Sequence, residues 1–154
     1  MLKKILVPLD GSELAEKALP YAQALAQKFE AQLILVRILP PLIVTPNQDE
    51  QASLLAGIYR LREVEADSYL TNIGIRLQKL NLNIQVERLE GSPVAEMILE
   101  LAEDKGVDVI VMSTHGYSGN KRWIYGSVAN KVLQHAPCPV FLVRPIGEGK
   151  EIDP

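Results

Sequence analysis

Two places in this chain combine residue types and spacings that could do chemistry. One is Asp10, in Pro8-Leu9-Asp10-Gly11-Ser12; the other is Ser113-Thr114-His115-Gly116, leading to Gly126-Ser127. Gly116 and Gly126 let backbone approach a bulky anion, and a helix starting near Ser127 would face that anion with its free N–H groups. The combination describes a phosphate cradle. It is not one of the common ones, because neither GxxxxGK[ST] nor GxGxxG follows the first apolar run. A phosphoacceptor aspartate would need clustered acidic residues and a lysine after a late strand, whereas Asp10 stands almost alone. Asp10 also reads as a helix N-cap, with Glu13 completing a capping-box-like pair. Lys121 and Arg122 read first as a solvated loop face. His115 and His135 lack companions at a metal-binding spacing, and Cys138, between Pro137 and Pro139, reads as an inert thiol.

These residues must be positioned by short apolar runs that alternate with amphipathic stretches, the pattern of a β/α protein with a buried parallel sheet. Five strands are readable: Lys4 to Pro8, Leu33 to Ile38, Asn83 to Arg88, Val107 to Met112 and Val140 to Val143. Four are nearly continuous in Val, Ile and Leu, as strands covered on both faces should be. The third alternates polar and apolar residues and reads as an edge. Ala15, Ala18, Leu19, Ala22, Leu25, Ala26 and Phe29 predict one helix after Asp10, bent at Pro20. A long helix from about Asp49 to Leu80 carries Leu54, Ile58, Leu61, Leu70, Ile73, Leu77 and Leu80 on one side. A third has Ser92 and Pro93 as N-cap and first residue, and a fourth begins near Gly126 and Ser127. Leu39 to Asn47, with three prolines, reads as a loop with an apolar tip. Ser113 to Gly126 reads as a long functional loop containing Trp123.

The 154 residues are 47% hydrophobic and 23% charged, which excludes disorder and low-complexity polymers. One domain over 1–146 is expected, with a polar tail at 147–154. A single cysteine argues against a disulfide scaffold and for a reducing, cytoplasmic setting. The net charge of -3 supplies no broad positive field for nucleic acid or an anionic membrane. No run approaches the ~18 apolar residues of a membrane span.

Over nearly its whole length the sequence resembles the universal stress proteins of the adenine-nucleotide-binding type, from ILVPLDGSELAEKAL through AQLILVRI and GVDVIVMSTHG to YGSVANKVLQHAPCPVFLV. The family motif G-x2-G-x9-G-[ST] falls on Ser113, Gly116, Gly126 and Ser127, with serine in place of the first glycine. The resemblance implies a single α/β domain with an open five-stranded parallel sheet, order 3-2-1-4-5, and helices on both faces. This is a Rossmann-like, adenine nucleotide alpha hydrolase-like fold. It implies adenosine contacts from Pro8, Leu9, Asp10 and Ile38 and backbone contacts around Met112 and Ser113. Phosphate contacts are implied from Gly116, Gly126, Ser127 and Val128, and His115 is counted with the nucleotide site. The implied ligand is ATP, ADP or AMP, with or without Mg2+. A homodimer through Val140, Phe141, Leu142 and Val143 is implied too. Ser113 fits only if its φ is negative and the ligand leaves room for its side chain. Two functions are therefore expected in competition. One is an ATP-binding regulatory or sensor protein of stress response with little or no hydrolysis; the other is a nucleotide-free dimeric interaction scaffold. No nucleophile, base and orienting group can be assembled for catalysis.

Overall fold

The Val-, Ile- and Leu-rich runs form five strands: β1 (Lys4–Pro8), β2 (Gln32–Leu39), β3 (Ile84–Glu90), β4 (Val109–Ser113) and β5 (Val140–Val143). This is a computed structural model, which describes residues 1–43, 49–114 and 126–145, with backbone alone at 49–51. The helices are α1 (Glu13–Glu16), α2 (Leu19–Phe29), α3 (Asp49–Gln78), α4 (Val94–Asp104) and α5 (Ser127–His135).

The strands pair in parallel in the order β3-β2-β1-β4-β5. Pro8 lies opposite Val36, Leu6 opposite Ile110, and Met112 opposite Leu142. Alternation along the strands divides the core into two layers. Ile5, Val7, Leu33, Leu35, Val109 and Val111 pack with Ala15, Ala22, Ala26, Leu70, Ile73 and Leu77 of α1, α2 and α3. Leu6, Ile34, Val36, Ile110 and Met112 face α4 and α5 through Ala95, Ile98, Leu101, Ala129 and Val132. Strand order reverses between β1 and β4, where neighbouring crossovers leave on opposite faces and a crevice opens at the strand ends.

Several elements differ from the sequence reading. The stretch after Asp10 is two helices rather than one bent helix, because Pro20 occupies the first turn of α2, where its missing N–H costs nothing. Pro93 is itself the N-cap position of α4 and receives no side-chain cap from Ser92. The apolar stripe of α3 is buried only in its second half, at Leu70, Ile73 and Leu77. Leu54 and Leu61 are 67% and 71% exposed and Ile58 is exposed too, while Leu80, also exposed, lies past the helix end at Gln78. In the edge strand β3, Val86 is exposed despite the alternation. The 147–154 tail lies outside the described residues. Among the described residues no helix is long and apolar enough to cross a membrane.

One side-chain contact ties the sheet's lower edge together. The Asp108 carboxylate accepts from the backbone N–H groups of Lys3 (2.7 Å) and Lys4 (2.9 Å). Those two bonds hold its pKa below the usual carboxylate range. A carboxylate lowered on folding contributes stability that is complete above its unfolded value, about 3.9, and is lost as pH falls through the folded value. Asp108→Ala is therefore expected to lower the urea midpoint modestly at pH 7. At pH 3 the difference from wild type should shrink, as paired urea melts at the two values will show.

Candidate functional site

A cavity of about 400 Å3 opens at the carboxyl ends of β1, β2 and β4, at the switch point of the sheet. Its volume is within the range of small-molecule sites. The end of β1 supplies Pro8, Leu9 and Asp10; β2 supplies Val36 to Leu39, followed by Pro40. Met112, Ser113 and Thr114 come from the end of β4, and Gly126 to Ala129 from the start of α5. Ala15, Val94 and Ile98 close the floor with apolar surface, and Arg62 of α3 stands at the side. Nine residues singled out in the sequence thus line one cavity: Pro8, Leu9, Asp10, Ile38, Met112, Ser113, Gly126, Ser127 and Val128. His115 and Gly116, together with Lys121, Arg122 and Trp123, lie outside the described residues.

The N-cap of α1 is Ser12, whose Oγ accepts from the Ala15 N–H at 3.1 Å. The expectation that Asp10 caps this helix is thereby corrected, and Glu13 is not its capping-box partner. Asp10 instead closes a turn: its Oδ1 accepts from the Ser12 N–H at 2.9 Å and from the Ser12 hydroxyl. A serine at the N-cap satisfies the first turn with its own hydroxyl, which leaves the carboxylate two residues before it at the cavity wall.

At the opposite wall the Gly126 N–H donates to the Thr114 carbonyl at 2.8 Å and so ties α5 to the end of β4. Gly126 is the N-cap of α5 and offers no side-chain cap. The first-turn N–H groups, which have no acceptor within the helix, begin at the cavity wall formed by Ser127, Val128 and Ala129. Such a terminus attracts anions. Ser113 is buried in β4 opposite Val143 and has no positive φ, so serine is accommodated there without strain.

Two cationic residues of the cavity were missed as site residues. Arg37, at the end of β2, is 9% exposed. Its Nη2 lies 2.8 Å from Glu65 Oε2 and its Nη1 donates to Glu65 Oε1 at 3.0 Å, and its Cζ lies 5.2 Å from the centroid of the Tyr69 ring. Burial, then the nearby Glu16 carboxylate, pushes the Tyr69 phenol well above its ordinary value. No acceptor or donor meets the Tyr69 hydroxyl within hydrogen-bond geometry among the described residues, so Glu16 acts there chiefly through its charge. Arg62 donates from Nη2 to the Pro40 carbonyl at 3.2 Å, while its enclosed Nη1 has no partner among the described residues. The signal for Arg37 was legible as a lone charge in the apolar run LILVRIL. Arg62 carried none, since it reads as one more charge on a mostly solvated helix.

The arrangement is chemically suited to a ligand with an anionic group. N–H donors at the α5 terminus, apolar side chains, the Asp10 carboxylate and the Arg37 and Arg62 guanidinium groups line the same cavity. Among the described residues its wall provides no cysteine or histidine, and Asp10 is its one carboxylate.

The family model described as the Universal stress protein family matches residues 1–144. The chain is 33% identical over 146 residues to universal stress protein MJ0531 of Methanocaldococcus jannaschii, covering 94% of this chain and 83% of the relative. It is 34% identical over 155 residues to universal stress protein YxiE of Bacillus subtilis, covering 94% and 100%. The solved structure of universal stress protein UspA from Lactobacillus plantarum superposes with a TM-score of 0.80 at 24% identity, covering 93% of this chain and 98% of that one. Three further structures of the same fold, 22%, 20% and 11% identical, were solved with cAMP, dAMP and AMP respectively.

Proposed function

The chain belongs to the universal stress protein family, and from that premise we propose that it binds ATP and acts as a nucleotide-dependent regulatory or sensor protein. The observation that carries the reading is the shared cavity: Asp10 from β1 and Gly126 with Ser127 from α5 face one space about 400 Å3 in volume. Structures of the same fold holding cAMP, dAMP and AMP support an adenine nucleotide as the occupant.

In this reading the phosphates lie at the α5 terminus, held by the N–H groups that follow Gly126 and by the Ser127 hydroxyl. The base lies against Ile38, and the Asp10 carboxylate accepts from a ribose hydroxyl. Gly116, His115 and a Mg2+ ion complete the phosphate end. These groups hold charge without activating water, so turnover falls far below the ~1 to 100 per second of kinases. Bound nucleotide then serves as the regulatory signal, with Trp123 as reporter. Titration calorimetry tests the reading: ATP binding in the micromolar range is expected. Absence of binding up to about 1 mM, roughly 4 kcal/mol, would leave the nucleotide-free scaffold. A single-turnover assay with protein in excess over labelled ATP and Mg2+ tests the second clause, and hydrolysis near one per second would make the protein an ATPase.

The cytoplasm and a homodimer through β5 complete the proposal. Supporting the dimer, β5 is a sheet edge, and Phe141 and Tyr21 are 41% and 50% exposed beside it with ring centroids 5.6 Å apart. An apolar edge with unpaired backbone groups invites association, and antiparallel pairing across a two-fold axis is self-limiting. Sedimentation at tens of micromolar protein should give a dimer for wild type and a monomer for Phe141→Lys. A monomeric wild type would dispose of the interface.

A further inference from the structure

We infer that Arg37 is a positioning residue for the ribose end of the site, acting through Gly11 on the Asp10 carboxylate. The inference rests on the preceding reading that Asp10 takes a ribose hydroxyl.

Arg37 is held on every side. Its two terminal nitrogens form a fork on Glu65, which fixes the plane of the guanidinium, and the Tyr69 ring lies beneath its central carbon. Gly11 meets it from the β1–α1 turn. A Cβ built on Gly11 would lie 3.1 Å from Cζ, 3.1 Å from Nη2 and 3.2 Å from Nη1. Nearly equal distances to three atoms mean that Gly11 rests on the face of the guanidinium, and a side chain there would crowd it. Its φ of +87° is also one that glycine adopts freely.

Gly11 is the middle residue of the turn that the Asp10 carboxylate closes on Ser12. A rigid plate under that residue fixes the height and tilt of the turn, and so the direction of the carboxylate. The chain from α3 to ligand is then Glu65, Arg37, Gly11, Asp10. A hydrogen bond to a ribose hydroxyl depends steeply on direction, so loosening the plate should cost ribose recognition more than affinity for the base or phosphates.

The test is calorimetric titration of ATP and 2′-deoxy-ATP, with 3′-deoxy-ATP as a companion, into wild type, Arg37→Met, Glu65→Gln, Asp10→Asn and the Arg37→Met/Asp10→Asn double variant. Wild type should prefer one hydroxyl-bearing ligand by about tenfold, the worth of one hydrogen bond to a charged group. Arg37→Met should reduce that preference several-fold, over and above the weakening that loss of a cavity charge brings equally to ATP and the deoxy ligands, and the double variant should lose no more preference than Asp10→Asn alone. Glu65 is 59% exposed on its side chain, so Glu65→Gln leaves the core intact and should show a smaller loss of the same kind even if Arg37→Met fails to fold. An unchanged preference in the foldable variants, or equal weakening of ATP and both deoxy ligands, overturns the inference while leaving the site reading intact. A wild type that binds no adenine nucleotide overturns both.

Discussion

Gly126→Val is expected to weaken ATP binding about a hundredfold while the protein stays folded. The backbone at Gly126 has φ -53° and ψ 151°, which other residues adopt readily, so the substitution brings no conformational strain. A Cβ there would stand 3.4 Å from the Thr114 carbonyl oxygen, an ordinary contact, and replacing glycine at an N-cap by a β-branched residue costs about 1 kcal/mol. The two methyl groups have a different effect on the ligand. They stand at the cavity wall, where a phosphate would approach the N–H groups of the first α5 turn. A hundredfold loss corresponds to about 2.7 kcal/mol, the cost of losing close approach to one or two charge-assisted hydrogen bonds. Gly126→Ala, with one methyl, should fall between valine and wild type. Calorimetry with ATP, alongside circular dichroism for the fold, measures both halves. If the valine variant binds ATP as well as wild type does, the phosphates are held elsewhere.

The largest expected loss of stability is for Ile110→Ala. Ile110 is fully buried as the second residue of β4, opposite Leu6 and Val140, in the layer facing α4 and α5. Removing three carbons there forfeits their transfer energy and leaves a cavity that neighbours on a parallel sheet cannot collapse into. The cost should be about 4 kcal/mol, set against a total of about 5 to 15 kcal/mol for a domain. For a chain of this length that corresponds to roughly 8 to 16 °C in Tm. Leu61→Ala, at a side chain 71% exposed, should change stability by less than about 0.5 kcal/mol. Thermal melts of the two variants side by side check the contrast. Comparable losses would mean that the outer half of α3 is covered in solution, for instance by another molecule.

Much of the architecture was legible before any coordinate. β1 and β5 fall on the residues read from the sequence, and β2, β3 and β4 begin or end one or two residues away. Strands buried on both faces must be continuous in Val, Ile and Leu, and no other element leaves that mark over so short a run. The edge position of β3 was written in its polar residues. The reading that the last helix begins near Gly126 and Ser127 matches α5, which starts at Ser127 after an N-cap at Gly126. Asp10 as a residue of note was legible too, but not its role beside Ser12. The sequence reading put the N-cap at Asp10, whereas the structure puts it two residues later at Ser12, with Asp10 closing the turn before it.

What the tertiary structure alone decided concerns residues far apart in the chain. Whether a stripe on α3 is core depends on what lies under each turn. Leu70, Ile73 and Leu77 join the strand side chains of the core, whereas Leu54 and Leu61, on the same predicted stripe, are largely exposed. Helical periodicity specifies a face but not what that face will touch. The same limit hid the role of Arg37. Its charge in an apolar strand was visible, but its meaning requires Glu65 twenty-eight residues later, Tyr69 beneath it and Gly11 from the turn after the neighbouring strand. Local sequence determines which elements form because their hydrogen bonds and side-chain periodicities are local. A binding site joins the ends of several strands, and only the packed sheet brings Asp10, Arg37 and Gly126 to one cavity.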